Sequence, residues 1–312
     1  MILCVNANAA IDKTVVVPNF QLNEIHRPTR VLAIPGGKGC NVARGLKRLG
    51  ETPVVSGWVG GAAGQFIEAG LHGEGIQTNF VHTAFESRTC LSILDPQSGG
   101  VTEIYELGDP VPANSVEEFR EHFRSIVGGY AAVTCSGSLP PGVPLDWYGQ
   151  LFTLARAAGV PCLLDSSGAA LKQGVELGHP YLVKPNRKEL ADLYGREVTN
   201  LDQVARAALE LAARYETRVV ISLGADGAIA TEGSEVLQVR PPALTIQSAV
   251  GSGDCMLAGI TYGVTHAFTF AEAVRYGVAA GTANALTVGA GVFNLDDFER
   301  VLEQTTIARR PC

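Results

Sequence analysis

The sequence predicts an α/β protein built on a mostly parallel central sheet. Short runs of β-branched residues alternate with amphipathic segments along most of the chain, a pattern typical of βαβ units whose helices cover both faces of a sheet. The 312 residues, 46% of them hydrophobic and 18% charged, are enough for one large buried core. Because no repeat, low-complexity tract or flexible linker interrupts them, residues 1–312 are expected to form a single domain.

Six apolar runs predict the buried strands of this sheet, and four periodic segments predict helices between them. The strands are expected at residues 2–6, 53–58, 131–135, 161–164, 181–183 and 218–222. The helices are expected at residues 41–49, 145–158, 202–215 and 271–288. The carboxyl ends of such strands meet at one edge, where open α/β sheets bind their ligands.

Two regions depart from the alternation and predict a small antiparallel sheet. Residues 13–17 with 29–34, and 89–94 with 100–105, have a period close to two, and a turn at 97–100 joins the second pair. They belong to insertions at about 12–34 and 87–107. The insertions would form a β lid over a ligand site or an edge that pairs with a second subunit, and the pattern leaves both interpretations open.

Charge and composition exclude several classes of partner. A net charge of −7 argues against nucleic acid, which is bound through basic surfaces. Seven scattered cysteines, Cys312 among them, include no C-x-x-C pair, so reduced thiols in a cytoplasmic protein are expected and not a zinc site or a disulfide framework. We recognise no export signal, and the uncharged run 276–293 is too rich in Gly, Ala and Thr for a membrane span.

The most informative motif is Val250-Gly251-Ser252-Gly253-Asp254, which a helical pattern follows. Free backbone N–H groups at a helix start bind anions, and glycine lets a phosphate approach the backbone closely. The acid at this place has two interpretations. Asp254 either caps the helix or acts as a catalytic base beside an oxyanion hole.

A second motif places Gly36, Gly37, Lys38 and Gly39 ahead of a predicted helix. One interpretation is an ordinary glycine turn with Lys38 in solvent. Three glycines in four residues exceed what one turn requires, and therefore favour a polar ligand close to the backbone. Lys38 would then offset a phosphate charge, and Asn41 would bond to hydroxyl groups.

Further polar residues follow predicted strands and are expected at the same edge. Asn186 and Glu189 open a helix, either as a capping box or as oxygen ligands that hold Mg²⁺ through water. Asp12, Asp165 and residues 136–142 also follow strands, although turns and caps explain them equally well. Walker A, G-x-G-x-x-G, protein-kinase, nucleophile-elbow and H-E-x-x-H motifs are all missing from the sequence.

In combination, these motifs resemble those of the PfkB, or ribokinase-like, family of ATP-dependent sugar kinases. Five motifs occur in the family's order over nearly the whole chain, at residues 36–43, 136–140, 184–189, 222–227 and 251–254. The resemblance implies a ribokinase-like three-layer sandwich whose β lid forms a homodimer interface. It also implies that ATP and Mg²⁺ are required.

The resemblance further implies a role for each candidate residue. Asp254 would be the base that takes the proton of the sugar hydroxyl, and the N–H groups of Gly251, Ser252 and Gly253 would form the anion hole. The sugar phosphate would be held by Asp12, Gly37, Lys38, Asn41, Arg88 and Ser138. The ATP site would be lined by Lys184, Asn186, Ser222, Gly224 and Gly227, with Mg²⁺ positioned by Asn186 and Glu189.

Within the family, the motifs look most like the hexose-phosphate branch, which contains 1-phosphofructokinase, tagatose-6-phosphate kinase and the minor 6-phosphofructokinase. The expected function is therefore ATP-dependent phosphorylation of a ketohexose phosphate (fructose 1-phosphate, fructose 6-phosphate or tagatose 6-phosphate) to the bisphosphate. Ser252 stands where the family has alanine, but it keeps the backbone donors. Thr89 and residues 107–110 also depart from the pattern, and they leave the sugar open.

Two alternatives accompany this expectation. A kinase of an unphosphorylated sugar or nucleoside is disfavoured by Lys38 and Arg88, whose charges suit a phosphorylated substrate. A nucleotide-binding regulator that has lost catalysis is disfavoured by the presence of Asp254, Asn186 and Glu189.

Overall fold

A computed structural model describes residues 1–310 of the chain. Its strands are β1 (Ile2–Asn8), β2 (Ala10–Val16), β3 (Arg30–Gly36), β4 (Pro53–Gly60), β5 (Gln77–Thr78), β6 (Val81–Thr83), β7 (Arg88–Leu94), β8 (Val101–Tyr105), β9 (Ala132–Ser136), β10 (Cys162–Asp165), β11 (Leu182–Val183), β12 (Arg218–Ser222), β13 (Ala228–Glu232), β14 (Glu235–Arg240) and β15 (Thr306–Arg310). Its α-helices are α1 (Lys38–Arg48), α2 (Gly61–Gly73), α3 (Ala113–Ile126), α4 (Trp147–Ala157), α5 (Gly168–Gly178), α6 (Arg187–Tyr194), α7 (Leu201–Tyr215), α8 (Ser252–Thr265), α9 (Phe270–Ala285) and α10 (Leu295–Gln304).

The central sheet has the strand order β15-β14-β13-β12-β11-β10-β9-β1-β4-β5, and β6 also pairs with β4. All pairings from β12 through β5 and β6 are parallel, whereas β12 to β15 pair antiparallel. Strands β9 and β10 are buried along their whole length, as strands covered on both faces must be. The predicted mostly parallel sheet is confirmed.

Helices cover both faces of this sheet and make a three-layer sandwich. One hydrophobic cluster contains side chains of α3 to α7, such as Phe119 and Trp147. The cluster on the opposite face contains side chains of α1, α2, α8 and α9, such as Leu46 and Leu257. Alternate residues of β1 divide between the two, with Leu3 in the first cluster and Ile2 in the second, because successive strand side chains point to opposite faces.

The predicted elements are present, with shifted ends. Strands β1 and β4 run on to Asn8 and Gly60, past their expected ends at 6 and 58. Helix α1 begins at Lys38, not at 41, because Gly37 has a φ of 99° that only glycine adopts easily and the helix starts directly after it. Helix α9 ends at Ala285 and not at 288.

The small separate sheet has the strand order β3-β2-β7-β8. Its hairpins β2–β3 and β7–β8 are antiparallel, and β2 pairs with β7 in parallel to join them. In this register Val31, Val15 and Ile93 form one row across the sheet, on the same face as Leu91 and Ile104. We call this four-stranded sheet the β lid.

Within residues 1–310, no helix combines the length and the hydropathy that crossing a bilayer requires. The six cysteines in this range are buried and free. Cys312 lies outside the described residues.

Candidate active site

Polar residues gather where the parallel strands β9 to β12 end. Ser136 and Asp165 are the last residues of β9 and β10 and pair with each other in register. Lys184 follows β11, and its backbone N–H donates to the Leu164 carbonyl at 2.9 Å. The candidate residues after these strands therefore share the carboxyl edge of the sheet, as the sequence predicted.

Asp165 joins two lysines from different parts of the chain. Its Oδ1 lies 3.3 Å from the Lys38 Nζ, and its Oδ2 lies 3.1 Å from the Lys184 Nζ. Burial tends to raise the pKa of Asp165, but attraction to Lys184 and Lys38 outweighs it and lowers this pKa below the usual range. The buried carboxylate thus stays ionised and fixes two cations at the edge of the sheet.

Asp254 is buried beside this cluster on the first turn of α8. Its Oδ2 accepts a hydrogen bond of 2.8 Å from the Asn41 amide, and α8 has no side-chain cap. Burial raises the pKa of Asp254 to about 6, and repulsion by Asp165 adds to the rise, while Lys38, Asn41 and Lys184 act against it. The capping interpretation of Asp254 is therefore wrong, because its carboxylate faces Asn41 from α1.

The amino end of α8 offers free donors to an anion. Ser252 donates its N–H to the Ala249 carbonyl at 3.2 Å, but within residues 1–310 the N–H groups of Gly251, Gly253 and Asp254 have no acceptor. A β-carbon added to Gly253 would lie 3.4 Å from the Lys184 Nζ. The helix start and a lysine ammonium thus converge on one place, an arrangement that repels cations and attracts phosphate.

Asn284 of α9 ties the segment before α8 to the loop that follows α9. Its Nδ2 donates to the Val250 carbonyl at 2.8 Å and to the Ser252 hydroxyl at 3.4 Å, while its Oδ1 accepts from the Val292 N–H at 3.1 Å. The side chain is completely buried. Ser252, which departs from the family's alanine, therefore has a partner in this chain.

The glycine motif before α1 is shaped by neighbouring side chains. A β-carbon on Gly36 would lie 2.2 Å from the Asp12 Cγ, and β-carbons on Gly37 and Gly39 would clash with Asn6. The Asn6 amide donates to the Gly36 carbonyl at 3.0 Å and accepts from the Gly39 N–H at 3.2 Å. The absence of β-carbons at these glycines thus leaves room for the side chains of Asp12 and Asn6. The sequence predicted a polar ligand at this place and did not reveal this packing.

Asp12 lies against this motif and Lys38 belongs to it, and different causes shift the pKa values of the two side chains. Burial raises the pKa of Asp12, and Arg44 and Arg88 act against the rise. Burial would lower the pKa of Lys38, but Asp165, Asp254 and Glu189 together raise it. Lys38 therefore stays positively charged, and although 40% of its side chain is exposed it is paired with Asp165.

Arg88 and Ser138 line one cavity of about 440 Å³ below the β lid, together with Asn8 and Tyr105. The Asn8 amide donates to the Ser138 hydroxyl at 3.3 Å, and the Arg88 guanidinium donates to the Asn8 and Glu106 carbonyls. The cavity is large enough for a sugar phosphate, and its lining includes the positively charged guanidinium of Arg88 and the hydroxyl group of Ser138.

Asn186 and Glu189 form a capping box at the start of α6. The Asn186 Oδ1 accepts from the Glu189 N–H at 2.9 Å, and the Glu189 Oε2 accepts from the Asn186 N–H at 2.8 Å. In residues 1–310, no group of three His, Cys, Asp or Glu side chains could hold a metal ion. The Asp165 Oδ2 is occupied by the Lys184 Nζ at 3.1 Å, but the Glu189 Oε1 keeps its lone pairs free, so a hard oxygen donor for a water-bound Mg²⁺ is present.

The other residues expected at the ATP site lie next to this box. Asn186 and Ser222 form a parallel bridge, and the Ser222 N–H donates to the Pro185 carbonyl at 3.0 Å. Gly224 and Gly227 belong to the turn after β12, where a β-carbon on Gly227 would lie 2.0 Å from the Val239 carbonyl oxygen. Gly227 is therefore required by packing against β14.

The structure thus brings the candidate residues into three neighbouring groups. Lys38, Asn41, Lys184, Gly253 and Asp254 meet around Asp165, Arg88 meets Ser138, and Asn186 meets Ser222. Sequence reasoning left Asp165 without a role and missed Asn8. Both are the last residue of a buried strand, and a polar residue at the end of an apolar run is the signal that could have found them.

Known proteins resemble this chain over nearly its whole length. The model of the "pfkB family carbohydrate kinase" matches residues 3–297. A tagatose-6-phosphate kinase of Staphylococcus epidermidis is 33% identical over 309 residues, which cover 98% of this chain and 99% of that protein.

Solved structures agree in fold over nearly the whole chain. Phosphofructokinase-2 of Escherichia coli, in complex with potassium, superimposes with a TM-score of 0.92 at 33% identity and covers 97% of this chain and 98% of its own. A protein of Thermotoga maritima described as a possible 1-phosphofructokinase has a TM-score of 0.89 at 28% identity, with both chains covered completely (100%).

Proposed function

The chain belongs to the pfkB family of carbohydrate kinases, and we propose that it transfers the γ-phosphoryl group of ATP to a ketohexose phosphate, giving the bisphosphate. Fructose 1-phosphate, fructose 6-phosphate and tagatose 6-phosphate are the candidate substrates, since the relatives are named for hexose-phosphate kinases. The observation that carries the proposal is the buried Asp254 at a helix start that also faces Lys184. A proton acceptor and an anion site then lie side by side.

Asp254 is the base in this mechanism. It takes the proton of the attacking sugar hydroxyl, while the Asn41 amide holds its carboxylate at 2.8 Å. A pKa raised to about 6 leaves the group ionised at neutral pH, yet brings its basicity closer to that of a useful proton acceptor.

The transferred phosphoryl group would lie at the start of α8. Phosphoryl transfer depends mainly on alignment and on stabilising the negative charge of the transition state. The backbone N–H groups of Gly251 and Gly253 are free to donate, and that of Ser252 would join them by giving up its turn bond to Ala249. Lys184 and Lys38 add positive charge on either side of Asp165.

ATP would lie over Asn186, Ser222, Gly224 and Gly227, with Lys184 toward its phosphates. Mg²⁺, held through water by Glu189 and Asn186, would neutralise phosphate oxygens when bound. The capping box is compatible with this role because one Glu189 oxygen stays free. The sugar phosphate would occupy the cavity of Arg88 and Ser138, with Asp12, Gly37, Lys38 and Asn41 toward its hydroxyl groups.

We infer that the β lid forms a homodimer. Val31 and Ile104 share one lid face and are 54% and 55% exposed, which is unusual for apolar strand residues outside an interface. We also infer a cytoplasmic location, because buried free thiols suit a reducing compartment.

The experiment is an assay of ADP release with the three candidate sugar phosphates and with free fructose, tagatose and ribose as matched controls. We expect turnover with at least one sugar phosphate, at a kcat/KM about 100-fold above that of the matching free sugar. The free sugar lacks the phosphate group and therefore loses several charge-assisted hydrogen bonds to the protein. No release above background with any sugar phosphate would overturn the proposal.

A further inference from the structure

A buried arginine lies behind the proposed base. The Arg44 guanidinium donates to both carboxylate oxygens of Glu74, from Nε at 2.6 Å and from Nη2 at 2.8 Å. Nη2 also donates to the Pro35 carbonyl at 2.7 Å, and Nη1 donates to the Asn41 Oδ1 at 3.1 Å. The Asn41 Nδ2 in turn donates to Asp254 at 2.8 Å. A continuous chain of hydrogen bonds therefore runs from Glu74 to Asp254.

Arg44 determines which way the Asn41 amide faces. A guanidinium has only donors, so the Asn41 oxygen must point toward Arg44. The NH₂ group of the same amide must then point in the opposite direction, toward Asp254. Glu74 fixes the guanidinium by a bidentate contact, which holds its plane as well as its position.

This orientation favours one protonation state of Asp254. An NH₂ donor stabilises a carboxylate, whereas a carboxylic acid would need an acceptor for its own proton. If the amide were reversed, its oxygen would face the carboxylate and repel it. The Asn41 amide, oriented by Arg44, thus favours ionised Asp254, which is the form that can accept a proton from the substrate.

Other groups also face Asp254, and they are the same in both amide orientations. Lys38 reaches it from α1, Asp165 from β10 and Lys184 from the end of β11, and Cys255 is its neighbour on α8. Helix α9 packs against α8 through Gly277 and Gly281, which have no charge.

We propose that Arg44, held by Glu74, is a positioning residue that orients the Asn41 amide so that Asp254 remains ready to accept the substrate proton. The proposal rests on the function proposed above, because it assigns Asp254 the role of base. Arg44 acts through Asn41 and touches no reacting atom.

The test is a double-mutant cycle of R44M and N41A, read from the pH dependence of kcat/KM. We expect R44M to lower kcat/KM about tenfold at pH 6 and much less at pH 8, the effect of losing one hydrogen bond to a charged group. In the N41A background, R44M should cause no further change in the acidic limb, because the amide that Arg44 orients is already missing. E74Q should act in the same direction with a smaller effect.

Controls separate this role from a structural one. E232Q removes the charge of Glu232 from a more exposed pair, in which Arg218 lies 2.8 Å from the Glu232 Oε1, and it should leave the acidic limb unchanged. A pH-independent loss of activity in R44M, or equal effects of R44M in the presence and absence of Asn41, would overturn the proposal.

A second readout does not need substrate. The ¹³C shift of the Asp254 carboxyl, assigned by difference from D254N, should titrate at higher pH in R44M than in the parent. If the parent phosphorylates none of the sugar phosphates but this titration still shifts, the proposed function fails and the positioning role stands. An unchanged titration would contradict the positioning role whatever the activity.

Discussion

Asp254 combines two properties that a base working at neutral pH needs. It is buried, which raises its pKa to about 6, and it keeps a hydrogen-bond donor and two lysines close enough to remain ionised above that pH. Asp165, only a few ångströms from the same lysines, has its pKa lowered, because attraction to Lys184 and Lys38 outweighs its burial. Two buried carboxylates in one site thus take different roles.

The pH profile follows from these directions. A base must be ionised to take a proton, so protonation of Asp254 removes activity. We expect kcat/KM to be level near pH 7 to 8 and to fall about tenfold per pH unit below about 6. Initial rates at saturating ATP and low sugar phosphate measure this limb. A profile that remains level down to pH 4.5 would contradict a base with a raised pKa.

Substitution of Asp165 separates stability from the pKa of the base. D165N leaves two lysines without their buried counter-charge, so the free energy of unfolding should fall by about 3 kcal/mol. Because the lowered pKa of Asp165 means that its ionised form stabilises the fold, this difference between parent and variant should shrink as the pH falls below 4. The acidic limb of kcat/KM should move to lower pH, since repulsion by Asp165 raises the pKa of Asp254.

Urea unfolding and pH-rate profiles check both statements, with D192N at an exposed acid as the control. Unchanged stability in D165N, or an acidic limb that moves upward, would contradict the electrostatic role of Asp165.

At the scale of elements, the start of α8 combines a backbone requirement with a functional one. Gly251 has a φ of 79°, and a β-carbon there would lie 2.6 Å from the Ala290 Cα. Gly253 is helical, and a β-carbon there would meet only the Lys184 Nζ, at a distance of 3.4 Å. The two glycines are therefore expected to respond differently to the same substitution.

We expect G251A to lower the free energy of unfolding by about 2 kcal/mol, because alanine is strained at positive φ and collides with backbone. G253A should fold with nearly normal stability but reduce kcat/KM tenfold or more, because a methyl group would occupy the proposed phosphoryl position. Urea unfolding and steady-state rates distinguish the two. Normal activity in G253A would place the transferred group elsewhere.

The sequence predicted an element well where neighbouring residues in the chain determine that element. The strand β12 and the helix α7 follow from apolar periodicity, and the capping box of Asn186 and Glu189 follows from its spacing. The use of Gly36 for Asp12, and of Gly37 and Gly39 for Asn6, depends on residues that are distant in sequence, and no local pattern contains them. For the same reason the bridge from Lys38 through Asp165 to Lys184, which joins three segments, was not predicted.

At the scale of the whole molecule, the three-layer arrangement implied by the family resemblance is confirmed, and so is the separate β lid predicted from the two regions that depart from the alternation. We infer that residues 1–312 act as one kinase domain with the lid as its insertion. The substrate was not determined by sequence, because the cavity of Arg88 and Ser138 is built from the ends of β1, β7 and β8 and from the loop after β9, which only the fold brings together.

The lid proposal has its own test. I104E places a charge on the exposed apolar face, so a lid dimer should dissociate to monomers. L177E, at a residue of α5 that is 56% exposed, is the matched control and should remain dimeric. Light scattering after gel filtration measures both. A dimeric I104E protein, or a monomeric parent, would contradict an interface formed by the lid.

The role of Asp254 is tested most directly by D254N, with ADP release and ATP binding measured on the same preparation. The amide cannot accept the proton at neutral pH, so we expect kcat to fall by about 10²- to 10⁴-fold while the Kd for ATP changes little. Near-normal turnover in D254N would contradict the assignment of Asp254 as the base, and with it the mechanism proposed for this kinase.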